Sequence, residues 1–430
     1  MIIQPNPFYY GGTIKETRYF VNRKQEVMEI YEAIVTSASV SVVGERRVGK
    51  SSLLRYLADP SVIQQHGLDP AQYIFADIEF QGFPTITPTE LWHQLLGQTV
   101  SQLHDSALVA KVQALRAQKT ITLVELQELL QAFEKAGLNL VLLFDEFDTA
   151  AANPNFDLAF FDALRNLSNF RLSYIVASQR TLSDLGYAHS EAIVSPFFNI
   201  FRRVTLRGFA AYEMQELLRN SLKGTGIYFT GYDRKLLSDL ASTHPFFLQM
   251  AAYYLFNAYR YDSRPNQRKE NAWITQRFRD NSIEHFRYYW DGSEAGEKLI
   301  LATLSLLEPK ELESYKLYPD NYDPMFHKLQ NRVLVVTDRQ GKLRIFSFVF
   351  EQWIHQVLSF VPIDQVEDFK AAVDEATISR PKKIWLDTTE RLRKGFAWLD
   401  VKSIVKWTMV DKGAEQVVDL IAKVLKLVEP

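Results

Sequence analysis

Over the first two hundred residues the apolar positions follow two rhythms that alternate along the chain. Short apolar or β-branched runs at 39–43 (SVSVV), 73–80 (YIFADIEF), 139–145 (NLVLLFD), 172–178 (LSYIVAS) and 203–206 (RVTL) predict strands. Helical spacing fills the intervals at 87–103, 122–137 and near 156–168. The second of these helices opens on Thr122 with Glu125 three positions later, a pairing that satisfies free amides at a helix start, and leaves through Gly137. Strands separated by helices predict an α/β fold: a parallel sheet with crossover helices on both faces. The run at 139–145 is apolar throughout until Asp145, as expected of a central strand buried on both sides.

Beyond residue 208 the rhythm becomes helical. Met214, Leu217, Leu218 and Leu222 share one face over 211–226, and 233–242 continues the pattern. The stretch 260–271 (RYDSRPNQRKEN) is polar and contains Pro265, which predicts a mobile loop at a subdomain boundary. Helical segments at 293–307 and 322–332 are followed by two predicted strands, 333–338 (VLVVTD) and 344–350 (RIFSFVF), across RQGK. Helices followed by a hairpin read as a winged helix. Residues 363–430 read as all-helical, with Val417, Ile421, Val424 and Val428 in one stripe. The expected domains are therefore 1–208, 209–290, 291–361 and 362–430.

Composition narrows the function classes. The 430 residues are 47% hydrophobic and carry a formal net charge of −2, so the chain supports packed cores and shows no global attraction to a polyanion. Cysteine is absent, which excludes disulfides, thiolate–zinc sites and a cysteine nucleophile. No apolar run approaches the roughly 20 residues that cross a bilayer, and the amino-terminal residues lack the charge-then-apolar pattern of a signal peptide. No membrane association is expected, and the cytoplasm is the expected location.

Chemistry enters at 44–52, GERRVGKSS. The spacing Gly44-x4-Gly49-Lys50-Ser51 is that of a P-loop, in which glycines let backbone amides turn inward around phosphate and the lysine reaches the β- and γ-phosphates. A predicted strand precedes it, and a helix carrying Leu53, Leu54 and Leu57 on one face follows. Gly44, Arg47, Gly49, Lys50, Ser51 and Ser52 form the candidate phosphate-binding set, with the Ser51 hydroxyl on Mg²⁺. About ninety residues later the apolar strand ends in Asp145-Glu146. Asp145 is the candidate second metal residue, and Glu146 the candidate group that orients or deprotonates the attacking water. ATP and Mg²⁺ are the expected ligands.

The ordered set RYFVNRKQEVMEIYEAI … SVSVVGERRVGKSSLLRYL resembles the opening of the signal-transduction ATPases with numerous domains (STAND) and the related archaeal-type ATPases of the AAA+ superclass. The resemblance spans roughly residues 5–360. It implies that Phe20, Asn22, Arg23 and Glu26 form a box packed near the adenine, with Asn22 where glycine is commoner. It implies that IVASQR is a sensor strand, with Ser178 or Gln179 near the γ-phosphate and Arg180 contacting it. Within 243–255, Thr243 replaces a glycine and Pro245 is retained, in an element that joins the nucleotide site from a helical lid. Each assignment has a plainer alternative: Arg23 as a surface cation, Arg180 as a strand-end arginine paired with a carboxylate, and Pro245 as the first residue of a core helix. Arg202 and Arg203 are candidate arginine fingers, or simply strand-edge residues.

Two functions follow. The first is a regulatory switch that binds ATP and hydrolyses it slowly, controlling recruitment of a protein partner or self-assembly through the winged helix or the C-terminal helical module. The second is a DNA-engaging ATPase similar to replication initiators. Residues 291–360 carry eight Lys and Arg against ten Asp and Glu, a poor footprint for a phosphate backbone, so DNA is disfavoured there. Residues 380–412 combine Trp385, Trp398 and Trp407 with nine basic and four acidic residues. Such a mixture suits a protein interface or single-stranded nucleic acid, and equally two helices with solvated basic faces. A scaffold with negligible turnover is the weakest reading, because Asp145 and Glu146 are intact.

Overall fold

The computed structural model describes residues 5–14, 16–189, 196–261, 267–306, 324–337 and 343–359. Its described part divides into two compact units. One comprises residues 9–207 with 212–221, and the other comprises residues up to Phe8, 208–211 and those from Leu222 onward.

The first unit is built on five strands: β1 (Ser39–Val43), β2 (Tyr73–Glu79), β3 (Asn139–Asp145), β4 (Leu172–Ser178) and β5 (Phe201–Thr205). They lie in the order β2-β3-β4-β1-β5 and every pairing is parallel. Helices connect them on both faces. α1 (Lys24–Val35), α2 (Lys50–Leu57) and α3 (Pro60–Gln65) cover one side. α4 (Pro88–Thr99), α5 (Ser106–Arg116), α6 (Leu123–Lys135), the short α7 (Phe147–Ala151), α8 (Leu158–Leu167) and α9 (Leu182–His189) belong to the other. Because successive strand residues point to opposite faces, β3 feeds both cores. Leu140, Leu142 and Phe144 join one, and Val141 and Leu143 the other. The parallel α/β architecture read from the alternation is the one present.

Local sequence sets the helix ends. Thr122 and Glu125 form the expected reciprocal cap, Thr87 and Glu90 form a second, and Gly137 leaves α6 with φ 75°. The predicted helix at 87–103 stops at Thr99 and tightens into a 3₁₀ turn over Val100–Gln102.

The described part of the second unit is helical, with two short paired strands. After α10 (Ala211–Leu222), most of which packs in the first unit, come α11 (Gly231–Ala241), α12 (Pro245–Tyr261), α13 (Gln267–Asp291) and α14 (Ala295–Leu306). A helix at Pro324–Asn331 precedes β6 (Val335–Thr337) and β7 (Leu343–Ile345), which pair antiparallel, and the last of the described helices spans Phe348–Ser359. Phe247, Phe278, Phe286, Tyr289, Phe346 and Phe350 form its aromatic core. Phe8 belongs here too, stacked on Phe229 at 5.7 Å and edge-on to Phe256, while Asn6 Nδ2 donates to Tyr253 O and Asn257 Oδ1.

Three readings change. Of the polar stretch 260–271, the described residues are helical, ending α12 at Tyr261 and opening α13 at Gln267, while Pro265 lies outside the described residues. α13, the 25-residue helix, was not anticipated; its buried positions (Ile274, Phe278, Ser282, Phe286, Tyr289) are widely spaced among charges. The strand predicted at 344–350 ends at Ile345, and Phe348 opens a helix whose Val349, Phe350 and Ile354 are buried. The predicted tail helices at 362–430 lie outside the described residues.

Candidate functional site

Gly44 follows β1 directly, and its N–H donates to Ser178 O at the end of neighbouring β4 (3.1 Å). No side chain fits there, since a Cβ would stand 2.8 Å from Val48 Cγ1 and 2.9 Å from Leu206 O. The loop then turns through two left-handed residues, Arg47 (φ 66°, exposed) and Gly49 (φ 109°), and ends at the N-terminus of α2. Lys50, the first residue of that helix, is 4% exposed. Its Nζ donates to Gly44 O (2.9 Å) and Glu45 O (3.3 Å), and among the described residues no carboxylate pairs with it. A buried ammonium held only by carbonyls of its own loop is a cation placed for an anion. Ser51 is partly exposed, whereas the Ser52 hydroxyl is buried and accepts from Ile14 N at 3.1 Å.

Asp145 closes β3. β4 separates β3 from β1, so the two strand ends stand about 10 Å apart on the same carboxyl edge of the sheet. Asp145 Oδ1 accepts from Glu146 N (2.9 Å), and Glu146 adopts a left-handed conformation (φ 50°, ψ 47°) as the chain turns into α7. From the end of β4, Gln179 Nε2 reaches Glu146 Oε2 at 3.4 Å, and Ser178 Oγ donates to Arg180 O at 2.7 Å. Lys50, Asp145, Glu146, Gln179 and Arg180 thus issue from three adjacent strand ends. The family model described as Novel STAND NTPase 2 matches residues 31–303, more than half of the chain.

The chain belongs to the novel STAND NTPase 2 family.

Solved structures agree on the fold. The Walker-type ATPase PABY2304 of Pyrococcus abyssi is similar with a TM-score of 0.51 at 16% identity, over 80% of this chain and 98% of that one. The Aeropyrum pernix ORC2 protein, solved as ADPNP–ADP complexes, is similar with a TM-score of 0.50 at 12% identity, over 83% and 99%. No curated protein matches the chain. The structures agree with a P-loop NTPase fold, and the family is one of NTPases.

In this STAND NTPase the box before the P-loop is a buried joint. Asn22 and Arg23 are both left-handed (φ 69° and 65°), which explains why glycine suits the first position and why asparagine is the best-tolerated substitute. Arg23 is 4% exposed, so it is not a surface cation. Its guanidinium pairs with Glu26 (3.1 Å) and donates to Val48 O in the P-loop (3.3 Å) and to Arg207 O beyond β5 (2.6 Å). Burial is the largest influence on Arg23 and lowers its pKa, and Glu26 opposes that shift. Phe20 stacks on Tyr56 of α2 at 4.2 Å.

The other candidates have their own surroundings. Arg180 is half exposed and its Nε lies 3.6 Å from Asp148 Oδ1, the carboxylate pairing that was its plainer alternative. Pro245 is the first residue of α12, in the second unit. Arg202 and Arg203 are exposed on β5, opposite Val40 and Ser41 of β1. Asp148 was not singled out from sequence; its only signal is a third acidic position, three past Asp145 in DEFD.

Proposed function

We propose that the family's nucleotide in this chain is ATP with Mg²⁺, and that its binding and slow hydrolysis switch the protein between two arrangements that differ in recruiting a protein partner or further copies. The observation that carries the reading is Lys50, a buried ammonium at a helix N-terminus with loop carbonyls as its partners. A triphosphate draws Lys50 Nζ away from Gly44 O and Glu45 O, and the α2 amides meet the phosphates. Ser51 and Asp145 would hold the metal, which would supply positive charge against the phosphates. Among the described residues no three His, Cys, Asp or Glu side chains converge on a metal site. One hydroxyl and one carboxylate fit magnesium, which takes its other ligands from phosphate and water.

Glu146 takes the proton from a water whose oxygen bonds to the γ-phosphorus as the bond to the β-phosphate oxygen breaks. Gln179 fixes the carboxylate that does this. Arg23 serves the site through the P-loop backbone, and Pro245 and the helical unit answer the nucleotide state by population shift. The test is Lys50→Ala in calorimetry with ATP. A loss on the order of 1.5–3 kcal/mol in affinity is expected, and unchanged binding overturns the reading.

A winged-helix role for 291–361 is read as packing rather than DNA binding. Its candidate groove helix, Pro324–Asn331, and the residue after it offer Lys328 and Arg332, and both are already engaged. Lys328 pairs with Glu294 (2.6 Å), and Arg332 with the buried Glu297 (3.0 Å) and the Ser293 hydroxyl (2.9 Å). Removing 363–430 is expected to leave ATP affinity unchanged and to abolish assembly or partner capture, read by light scattering. A truncated chain that assembles like the parent moves that role elsewhere.

A further inference from the structure

Asp148 sits in α7, just past the candidate base, and its carboxylate accepts from two amides and pairs with one guanidinium from the end of β4. Gln179 N donates to Oδ2 at 2.7 Å and Arg180 N to Oδ1 at 3.3 Å, while Arg180 Nε stands 3.6 Å from Oδ1. The same segment borders the P-loop, because Gly44 N–H donates to Ser178 O and Val43 pairs with Ser178 in the parallel register. Gln179 in turn reaches Glu146. One carboxylate therefore fixes both residues that leave β4 beside the loop.

The geometry points to Asp148 as a positioning residue for turnover: it sets where Gln179 and Arg180 stand at the mouth of the P-loop without itself touching nucleotide. This rests on the nucleotide reading above and deepens it. Arginine has five N–H donors in a fixed fork, and a carboxylate held at Nε leaves terminal amino groups for an anion. Asp148 aims the guanidinium rather than consuming it. A half-exposed pair of this kind contributes little to stability, so the consequence of losing it belongs in kinetics.

The experiment compares Asp148→Asn, Arg180→Ala and the double variant of the full chain for ATP turnover, KM, ADP affinity by calorimetry and thermal midpoint. Asp148→Asn is expected to lower kcat roughly 10–100-fold, the scale of a misplaced catalytic group, with ADP affinity held. The double variant is expected to lose less than the product of the two single losses, since Asp148 acts through Arg180 while Gln179 is a second route from the same carboxylate. A merely structural aspartate lowers the thermal midpoint and ADP affinity together, and that result overturns the inference. Parental kcat in Asp148→Asn, or losses that multiply in the double variant, overturn it as well. If Asp148→Asn does not fold, Asp148→Ser keeps an acceptor for one amide and carries the same expectation. A parent that binds no ADP defeats the nucleotide reading and this one together. A parent that binds and turns over, with Asp148→Asn unaffected, defeats this one alone.

Discussion

Burying a guanidinium is costly unless its donors are used, and Arg23 uses them on backbone as well as on Glu26. Arg23→Ala leaves Val48 O and Arg207 O without that donor, and a destabilisation of about 1–3 kcal/mol in urea unfolding is expected. Arg23→Lys presents a single ammonium where a fork is needed and should recover only part of it. Full recovery by lysine contradicts the bridging role. Glu146 carries a second residue-scale prediction. Glu146→Gln is expected to bind ATP like the parent and to hydrolyse it roughly 10²–10⁴-fold more slowly; parental hydrolysis removes it as the base. The left-handed Glu146 is a conformation that non-glycine residues adopt only when their surroundings hold it. Such detail was not legible in the sequence. The spacing of Gly44, Lys50, Asp145 and Glu146 announces a phosphate site, but Asp148 and Val48 O matter through contacts that one-dimensional spacing does not carry.

At the scale of elements, the sheet was readable because each strand is a short apolar run and each crossover helix has a periodic face. α13 and the last of the described helices were not, because aromatic residues suit either element and tertiary packing decides. Gly44 joins β1 to the loop where backbone and side chain press from two sides. Gly44→Ala is expected to weaken nucleotide binding and lower the thermal midpoint together, since Leu206 O cannot yield without shifting the exit of β5. An alanine variant that binds ATP like the parent contradicts that packing. The two caps on α4 and α6 give a pH dependence. Thr87 holds the Glu90 carboxyl below its ordinary value, first through its amide, and Thr122 holds Glu125 likewise, first through its hydroxyl. A depressed folded pKa contributes stability that is present above the unfolded value and lost as pH falls through the folded one. The parent's thermal midpoint should therefore fall more steeply on acidification below about pH 4.5 than that of Glu90→Gln/Glu125→Gln. Parallel curves contradict it.

At the scale of the molecule, the chain starts in the helical unit with Asn6 and Phe8, crosses into the sheet unit, and returns after Arg207. Nothing in the amino-terminal residues marks this, since Phe8 finds Phe229 and Phe256 only through long-range packing. The family is one of NTPases and the fold that of a P-loop NTPase, while the proposed switch rests on how the nucleotide is gripped. The most direct measurement is a crystal structure with a non-hydrolysable ATP analogue and magnesium. The account predicts Lys50 Nζ released from Gly44 O and Glu45 O onto the β- and γ-phosphates, with Asp145 on the metal side of the same cleft. A nucleotide bound elsewhere, or a Lys50 still bonded to its own loop with phosphates in place, contradicts it.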